Sequence, residues 1–343
     1  MNSQVFPGVV ALVCGAALSV VLFVPFVAAQ YRRRGRLTLR QVMIWAGFLV
    51  YVLALWTYTL LPLPTSVNDL VCAGPQLHPL QFLTDIQDYP ASTPGQLARN
   101  PALMQVALNI ALFTPLGFFL RLIWHRGVVV STLVGFAIST LIEFTQLTGV
   151  WGLYPCAYRL FDVDDLIANT VGALLGGTLS LVLRPVLSRT VADPARALPV
   201  TRRRRAVGML CDALLVWLTG GVVAIAVNVI ETAVLHREQT TLPDSMATWI
   251  PFVCFGVVTL VTGRTFGDMA VRIRWDGGIR PAWLRNLVRY AVGIGGWQLL
   301  LAYTSGLDAL LLVASVIAIM STPTARGLPG LVSRGRPVDA LAP

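Results

Sequence analysis

Long apolar stretches broken by short polar clusters give this chain nine candidate membrane spans, at about 9–29, 42–61, 102–122, 128–149, 166–186, 206–229, 249–262, 286–303 and 309–321. The first six approach the ~20 residues a helix needs to cross a bilayer. The seventh and ninth are shorter, as tilted or re-entrant segments are. The first stretch reads as a span rather than a cleaved leader. No basic region precedes it, and five arginines follow it where a small-residue cleavage site would stand. The pattern therefore predicts an all-α, polytopic helical membrane protein with about nine transmembrane helices.

Composition agrees: only 12% of the 343 residues are charged, against about 25% in soluble domains, and the mean hydropathy is +0.71. The net charge of +10 at first suggests nucleic acid, but its distribution does not. All 26 basic side chains are arginine. With the N-terminus outside, alternate loops hold five arginines at 32–40, two at 121–126, seven at 184–205, six at 264–289 and three in the tail. Only Arg99, Arg159 and Arg237 then fall outside. Short arginine-rich loops stay cytoplasmic, so the basicity predicts an N-out, C-in topology in the cell membrane and attraction to anionic membrane lipids, with no nucleic-acid partner.

Glu143 stands within a run that holds no other charged side chain. A charge on a spanning helix costs about 3 kcal/mol on insertion scales, so such a residue faces a protein interior or a wet cavity and marks a site. Two neighbouring spans carry polar groups at a similar level. At ~1.5 Å rise per residue, Asn109, Glu143 and Asn169 each lie roughly 5–10 Å below the outer end of their helix. Ser139, Glu143 and Gln146 share one face at i, i+4 and i+7; Asp162, Asp165, Asn169, Gly172 and Gly176 step by three and four along one stripe. The acids sit at the mouth and the glycines deeper, where small residues let helices approach. Arg159, just before the stripe, is placed to compensate the acids. Pro115 and Gly117 predict a kink below Asn109.

Cys72 and Cys156 fall in two outside loops, where an oxidising compartment permits a disulfide; their sequence positions leave open whether the two Cα atoms come within reach. Cys14, Cys211 and Cys254 lie in apolar spans as packing residues. The segment 184–205 reads as a basic cytoplasmic linker. Leu80 to Leu83, in the long outside loop, form an apolar patch that predicts an interfacial segment. The alternation of basic and apolar residues at 271–275, followed by Asp276-Gly277-Gly278, predicts a short hairpin or an interfacial segment.

Leu108-Asn109-Ile110-Ala111-Leu112-Phe113-Thr114-Pro115-Leu116-Gly117, then Ser139, Glu143 and Gln146, then Arg159-Leu160-Phe161-Asp162-Val163-Asp164-Asp165 with Asn169-Thr170-Val171-Gly172-Ala173, resemble the VanZ-like family. The family takes its name from a member linked to low-level teicoplanin resistance, so the resemblance implies an envelope membrane protein with a resistance-type role. Arg205 and Asp212, followed by Gly263-Arg264-Thr265-Phe266-Gly267 and Asp276-Gly277, resemble the RDD family of small membrane modules. That resemblance carries its motif onto Arg205, Asp212 and Asp276, and departs from the family pattern at Asp268, where a basic residue is usual. Together they divide the chain into an N-terminal helix and basic loop (1–44), a VanZ-like membrane domain (45–185), a basic linker (186–204), an RDD-like membrane domain (205–322) and a tail (323–343).

Catalytic signatures are sparse. His78, His125 and His236 fall in loops, and neither a nucleophile elbow nor paired metal histidines appear. No catalytic residue, resident metal or cofactor is therefore expected. The leading expectation is a binding protein whose outward polar pocket (Asn109, Ser139, Glu143, Gln146, Arg159, Asp162, Asp165 and Asn169) engages an envelope lipid headgroup or a lipoglycopeptide. The alternatives are an ion- or proton-coupled transporter using Glu143 and Asp212, and a metal-assisted enzyme acting on a phosphorylated lipid through the oxygens of Asp162, Asp164, Asp165 and Asn169.

Overall fold

The computed structural model describes residues 5–61, 63–64, 72–90, 92–124, 126–187, 196–236 and 240–342. His125 and Arg237, and most of the linker at 184–195, lie outside the described residues or their described side chains. The chain is mostly helical. Its helices are α1 (Val5–Val21), α2 (Phe23–Arg34), α3 (Leu39–Leu60), α4 (Phe82–Asp85), α5 (Pro94–Leu97), α6 (Pro101–Trp124), α7 (Val128–Leu147), the single turn α8 (Gly149–Gly152), α9 (Val163–Leu187), α10 (Arg202–Val229), α11 (Leu242–Thr262), α12 (Phe266–Ala270), α13 (Ala282–Val292), α14 (Ile294–Tyr303), α15 (Leu307–Ser321) and α16 (Gly327–Val332). Four short strands complete it: β1 (Pro75–Gln76), β2 (Phe161–Asp162), β3 (Ile273–Asp276) and β4 (Arg336–Asp339).

Among the described residues six helices are long and apolar enough to cross a membrane, α3, α6, α7, α9, α10 and α11, or seven if the bent pair α1–α2 is one span. These are the helices of a multi-pass membrane protein. Three of the nine apolar stretches differ from single full-length spans. The first breaks at Leu22, between α1 and α2. The eighth breaks at Gly293 (φ −107°, ψ −126°) into α13 and α14. The ninth is the 15-residue helix α15. Conversely the seventh stretch, short as an apolar run, extends back to Leu242 and reaches 21 residues, because Pro243 sits in the first turn where its missing N–H costs nothing.

The chain divides into two compact units, Met1–Leu18 with Val42–Thr190, and Ser19–Gln41 with Val191–Pro343. In the first unit α6 and α9 form the most extensive helix pair, with α7 against α9. Glycine permits this: a Cβ on Gly176 would stand 1.8 Å from the Thr114 carbonyl oxygen, and one on Gly117 would stand 1.9 Å from that of Ala173. α6 runs as one helix through Pro115, and α9 closes on Gly117 two residues beyond it. Leu55, Phe113, Leu116 and Ile142 fill the core between α3, α6 and α7. Outside the helices, Cys72 and Cys156 are joined by a disulfide with Cα atoms 5.6 Å apart, the Ala73 N–H donates to the Ala157 carbonyl, and β1 pairs in parallel with β2.

In the second unit Val24, Val27 and Tyr31 of α2 pack with Cys211, Ala270, Val271 and Ile273. The alternating segment at 271–275 does form a strand, with Ile273 and Trp275 buried, yet its partner is not local. Gly277 and Gly278 take φ of +67° and +95° and turn the chain into α13 rather than back on itself. β3 pairs antiparallel with the tail strand β4, in the register Ile273 to Asp339 and Trp275 to Pro337. The expected hairpin is thus replaced by a long-range ladder.

Candidate functional site

Several polar side chains of the first unit, set by helical spacing, find partners on another element. Glu143, on α7 and only 3% exposed, accepts the backbone N–H of Asp162 on Oε2 at 3.1 Å. Four residues earlier on the same face, the Ser139 hydroxyl oxygen accepts from Asn169 Nδ2 of α9 at 2.9 Å. One turn before Asn169, Asp165 Oδ1 accepts from Asn109 Nδ2 and, at 3.2 Å, from Gln105 Nε2, both on α6. Glu143 is within electrostatic reach of Asp165, Asp162 and Arg159. The result is a polar seam across α6, α7 and α9, buried at Ser139, Glu143 and Asn169, half-buried at Asn109, Asp162 and Asp165, and exposed at Gln105. Asn169 Oδ1 is buried without a hydrogen-bond partner among the described residues.

Arg159 and Gln146 do not join the acids directly. Arg159 Nη1 and Nη2 donate to the carbonyls of Thr59 (3.0 Å) and Leu61 (2.7 Å), and Gln146 Nε2 donates to Thr59 as well (2.7 Å). With Tyr158 Oη on the Leu60 carbonyl, these groups satisfy the orphan carbonyls at the C-terminus of α3, where a cation also meets the negative end of the helix dipole. Among the described residues Arg159 forms no ion pair with an acid.

Asp164, offered by the sequence only as a candidate metal ligand, has a structural role instead. It is buried, and its two carboxylate oxygens take the N–H groups of Leu80 (2.5 Å) and Phe82 (2.9 Å). The apolar patch at Leu80 to Leu83 is therefore held down by an aspartate 84 residues away. Asp162 Oδ1 accepts from the Asp164 N–H (2.8 Å) and from Gln76 Nε2 (3.2 Å), so β1 is tied to the same corner. Burial pushes the Asp162 carboxyl above the ordinary carboxylate range, with the Asp164 N–H acting against that rise. With Asp164 committed to backbone amides, Asp162, Asp164 and Asp165 do not present a shared set of metal oxygens; among the described residues no three His, Cys, Asp or Glu side chains converge as a metal site.

The second unit holds a separate charged network. Arg205 Nη1 meets Asp268 Oδ1 at 2.6 Å, Arg289 Nη2 meets Asp268 Oδ2 at 3.0 Å, and Trp275 Nε1 donates to the same oxygen at 2.8 Å. The two guanidinium groups lie over the Trp275 ring, 4.9 and 3.9 Å from its centroid. Burial alone would raise the Asp268 carboxyl, but Arg205 and Arg289 beside it hold it below the usual range. Asp212 accepts from the Thr265 hydroxyl (2.7 Å) and the Gly267 N–H (2.6 Å) instead of pairing with Arg205. Asp276 is exposed, accepts among the described residues only from the neighbouring Gly277 N–H, and stands outside the network. Arg204, one residue from the predicted arginine, clamps the Val271 and Arg272 carbonyls and pairs with Asp339 of β4 at 2.8 Å. Neither Asp268 nor Asp339 is identifiable by spacing, because their partners come from elements 63 and 135 residues away.

Residues 48–184 match the family described as VanZ/LLP1, a stretch that contains every member of the seam from Asn109 to Asn169 and ends before α10. No curated protein and no solved structure matches the chain.

Proposed function

We propose that this chain is a VanZ-like protein of the cell envelope that spans the cell membrane and uses the seam around Glu143 as a binding site rather than a catalytic one. In this reading the seam faces outward under an N-out, C-in arrangement of nine spans, which rests on the arginine asymmetry. The ligand is an envelope lipid headgroup or a lipoglycopeptide of the teicoplanin type. The observation that supports it most is the chemistry of the seam. Glu143, Asp165 and the unpartnered Asn169 Oδ1 are acceptors gathered at one level of three predominantly apolar spans. An acceptor-rich set suits hydroxyl and ammonium donors, which sugars and amino headgroups supply.

The second half is proposed as an RDD-like module, covering about 205–322, with its motif on Arg205, Asp212 and Asp276; Arg205 itself pairs with Asp268, the position that departs from the family pattern. Membrane lipids are the partners of both halves.

The test is a titration of full-length protein in nanodiscs with teicoplanin and with a glycosylated prenyl-phosphate lipid. Saturable binding of either, weakened in Glu143→Gln, supports the reading. No binding of either probe, together with a proteoliposome ion flux that Glu143→Gln abolishes, would replace it with transport.

A further inference from the structure

A cavity of about 570 Å³ lies in the second unit, well within the ~300–1,000 Å³ of typical small-molecule sites. One wall is apolar, built from α10, α14 and α15, and its rim at Leu210, Leu312, Val316 and Met320 is about half exposed on the flank of apolar helices. The opposite end is charged. Arg202, Arg203, Arg205 and Arg289 line it together with two carboxylates, Asp212 and Asp268. Both acids are already engaged, Asp268 by Arg205 and Arg289, Asp212 by Thr265 and Gly267. Arg202 and Arg203, exposed at the mouth, form no ion pair among the described residues, so the cavity carries surplus positive charge. Arg205, 6% exposed, adds a second signal: its Nε is buried without a hydrogen-bond partner. Its guanidinium is held by one carboxylate through Nη1, which leaves Nε with donor capacity that a further oxyanion could take.

We propose that this cavity binds one anionic phospholipid, its phosphate held by Arg202, Arg203 and Arg205 and an acyl chain laid against the α10–α15 wall. Charge complementarity selects the occupant: an apolar slot open on the side of a spanning helix admits any lipid tail, but surplus arginine at its end favours a headgroup with net negative charge. A zwitterionic lipid offers the same tail without that match. The α10 N-terminus adds its partial positive charge at the same end. This site is independent of the seam in the first unit, and its success or failure leaves the reading of Glu143 untouched.

Native mass spectrometry of the full-length protein, released from micelles containing equal phosphatidylglycerol and phosphatidylcholine, tests it. Wild-type protein retains one phosphatidylglycerol in preference. Arg202→Gln with Arg203→Gln lowers that preference by about fivefold per arginine. Ala213→Phe, which fills the cavity, removes the bound lipid of either kind, and Val316→Trp at the rim does the same should the first variant fold poorly. Equal retention of both lipids by wild type, or a phosphatidylglycerol preference that survives these variants, overturns the proposal. So does displacement by soluble glycerol phosphate, which would make the cavity a headgroup site alone, or a lipid-free dimer that Ala213→Phe converts to monomer, which would make a second copy of the chain the occupant.

Discussion

Glu143 Oε2 accepts the backbone N–H of Asp162 at 3.1 Å, so the acid in the last turns of apolar α7 fixes the first aspartate at the entry to α9. The bond joins α7 to the short strand that leads into α9, and through Asp162 Oδ1 reaches Asp164 and Gln76. One carboxylate thereby helps set the position of two others and of Gln76.

This relationship separates two substitutions. Glu143→Gln keeps an acceptor for the Asp162 N–H and is expected to fold like wild type. Glu143→Leu leaves that N–H without a partner in a buried setting, at a cost of about 1–3 kcal/mol. Thermal unfolding in detergent is expected to show a lower midpoint for the leucine variant only. Equal midpoints for all three proteins would show that the bond contributes nothing to stability.

The α6–α9 contact makes a second prediction. Gly176→Val places a methine 1.8 Å from the Thr114 carbonyl, a backbone atom that yields only if the helices separate. The expected loss is about 1–3 kcal/mol. It should also weaken the Asn109–Asp165 bond on the same pair of helices, so ligand binding at the seam should fall with stability. An unchanged unfolding midpoint would contradict the close approach.

The helical seam is the part of this architecture most legible in sequence. Glu143 is conspicuous as a charge among apolar residues, and steps of three and four put Ser139 on its face and Asp165 and Asn169 on one stripe of the next helix. The chemistry of Asp164, Asp268 and Asp339 is not legible in the same way. Each binds groups contributed by distant elements, and Asp164 binds backbone N–H groups, which every sequence supplies at every position. Arg159 shows the converse. Its spacing beside an acidic stripe suggests charge compensation, and it stays within electrostatic reach of Glu143, but its guanidinium donates to the carbonyls that end α3. The strand at Ile273–Asp276 was readable from alternation, but its pairing with the tail was not, since register with a partner 60 residues on depends on the packing between them.

The disulfide supplies a third prediction. Cys72 and Cys156 close a long loop onto the corner that β1 and β2 share. Cys156→Ser is expected to cost about 2–5 kcal/mol and to abolish a reduction-dependent shift in gel mobility. Two free thiols titrated in protein purified without reductant would contradict the bridge.

Asp268 supplies a fourth, with a pH signature. Arg205 and Arg289 hold its carboxyl below the ordinary range in the folded protein. A depressed folded value means the stabilisation is fully present above the unfolded value of about 3.9 and is lost as pH falls through the folded value. Asp268→Asn leaves two buried guanidinium groups without their counter-charge and is expected to cost about 3–5 kcal/mol at neutral pH. Its stability should then fall less steeply than that of wild type below pH ~4. Parallel acid limbs for the two proteins would show that the ion pairs do not govern this part of the fold.

The central claim, that the seam between α6, α7 and α9 is where a polar headgroup or glycopeptide binds, is tested most directly by site-specific photocrosslinking. A photoreactive side chain at Gln105, exposed beside Asp165, is compared with one at Leu133, 61% exposed on the apolar flank of α7. With teicoplanin and a glycosylated prenyl-phosphate lipid as probes, the account predicts a saturable crosslink from position 105 that unlabelled probe competes away. It also predicts that Glu143→Gln reduces this crosslink about tenfold or more, the worth of one charged hydrogen bond. Equal, non-competed crosslinking from positions 105 and 133, unchanged by Glu143→Gln, would contradict it.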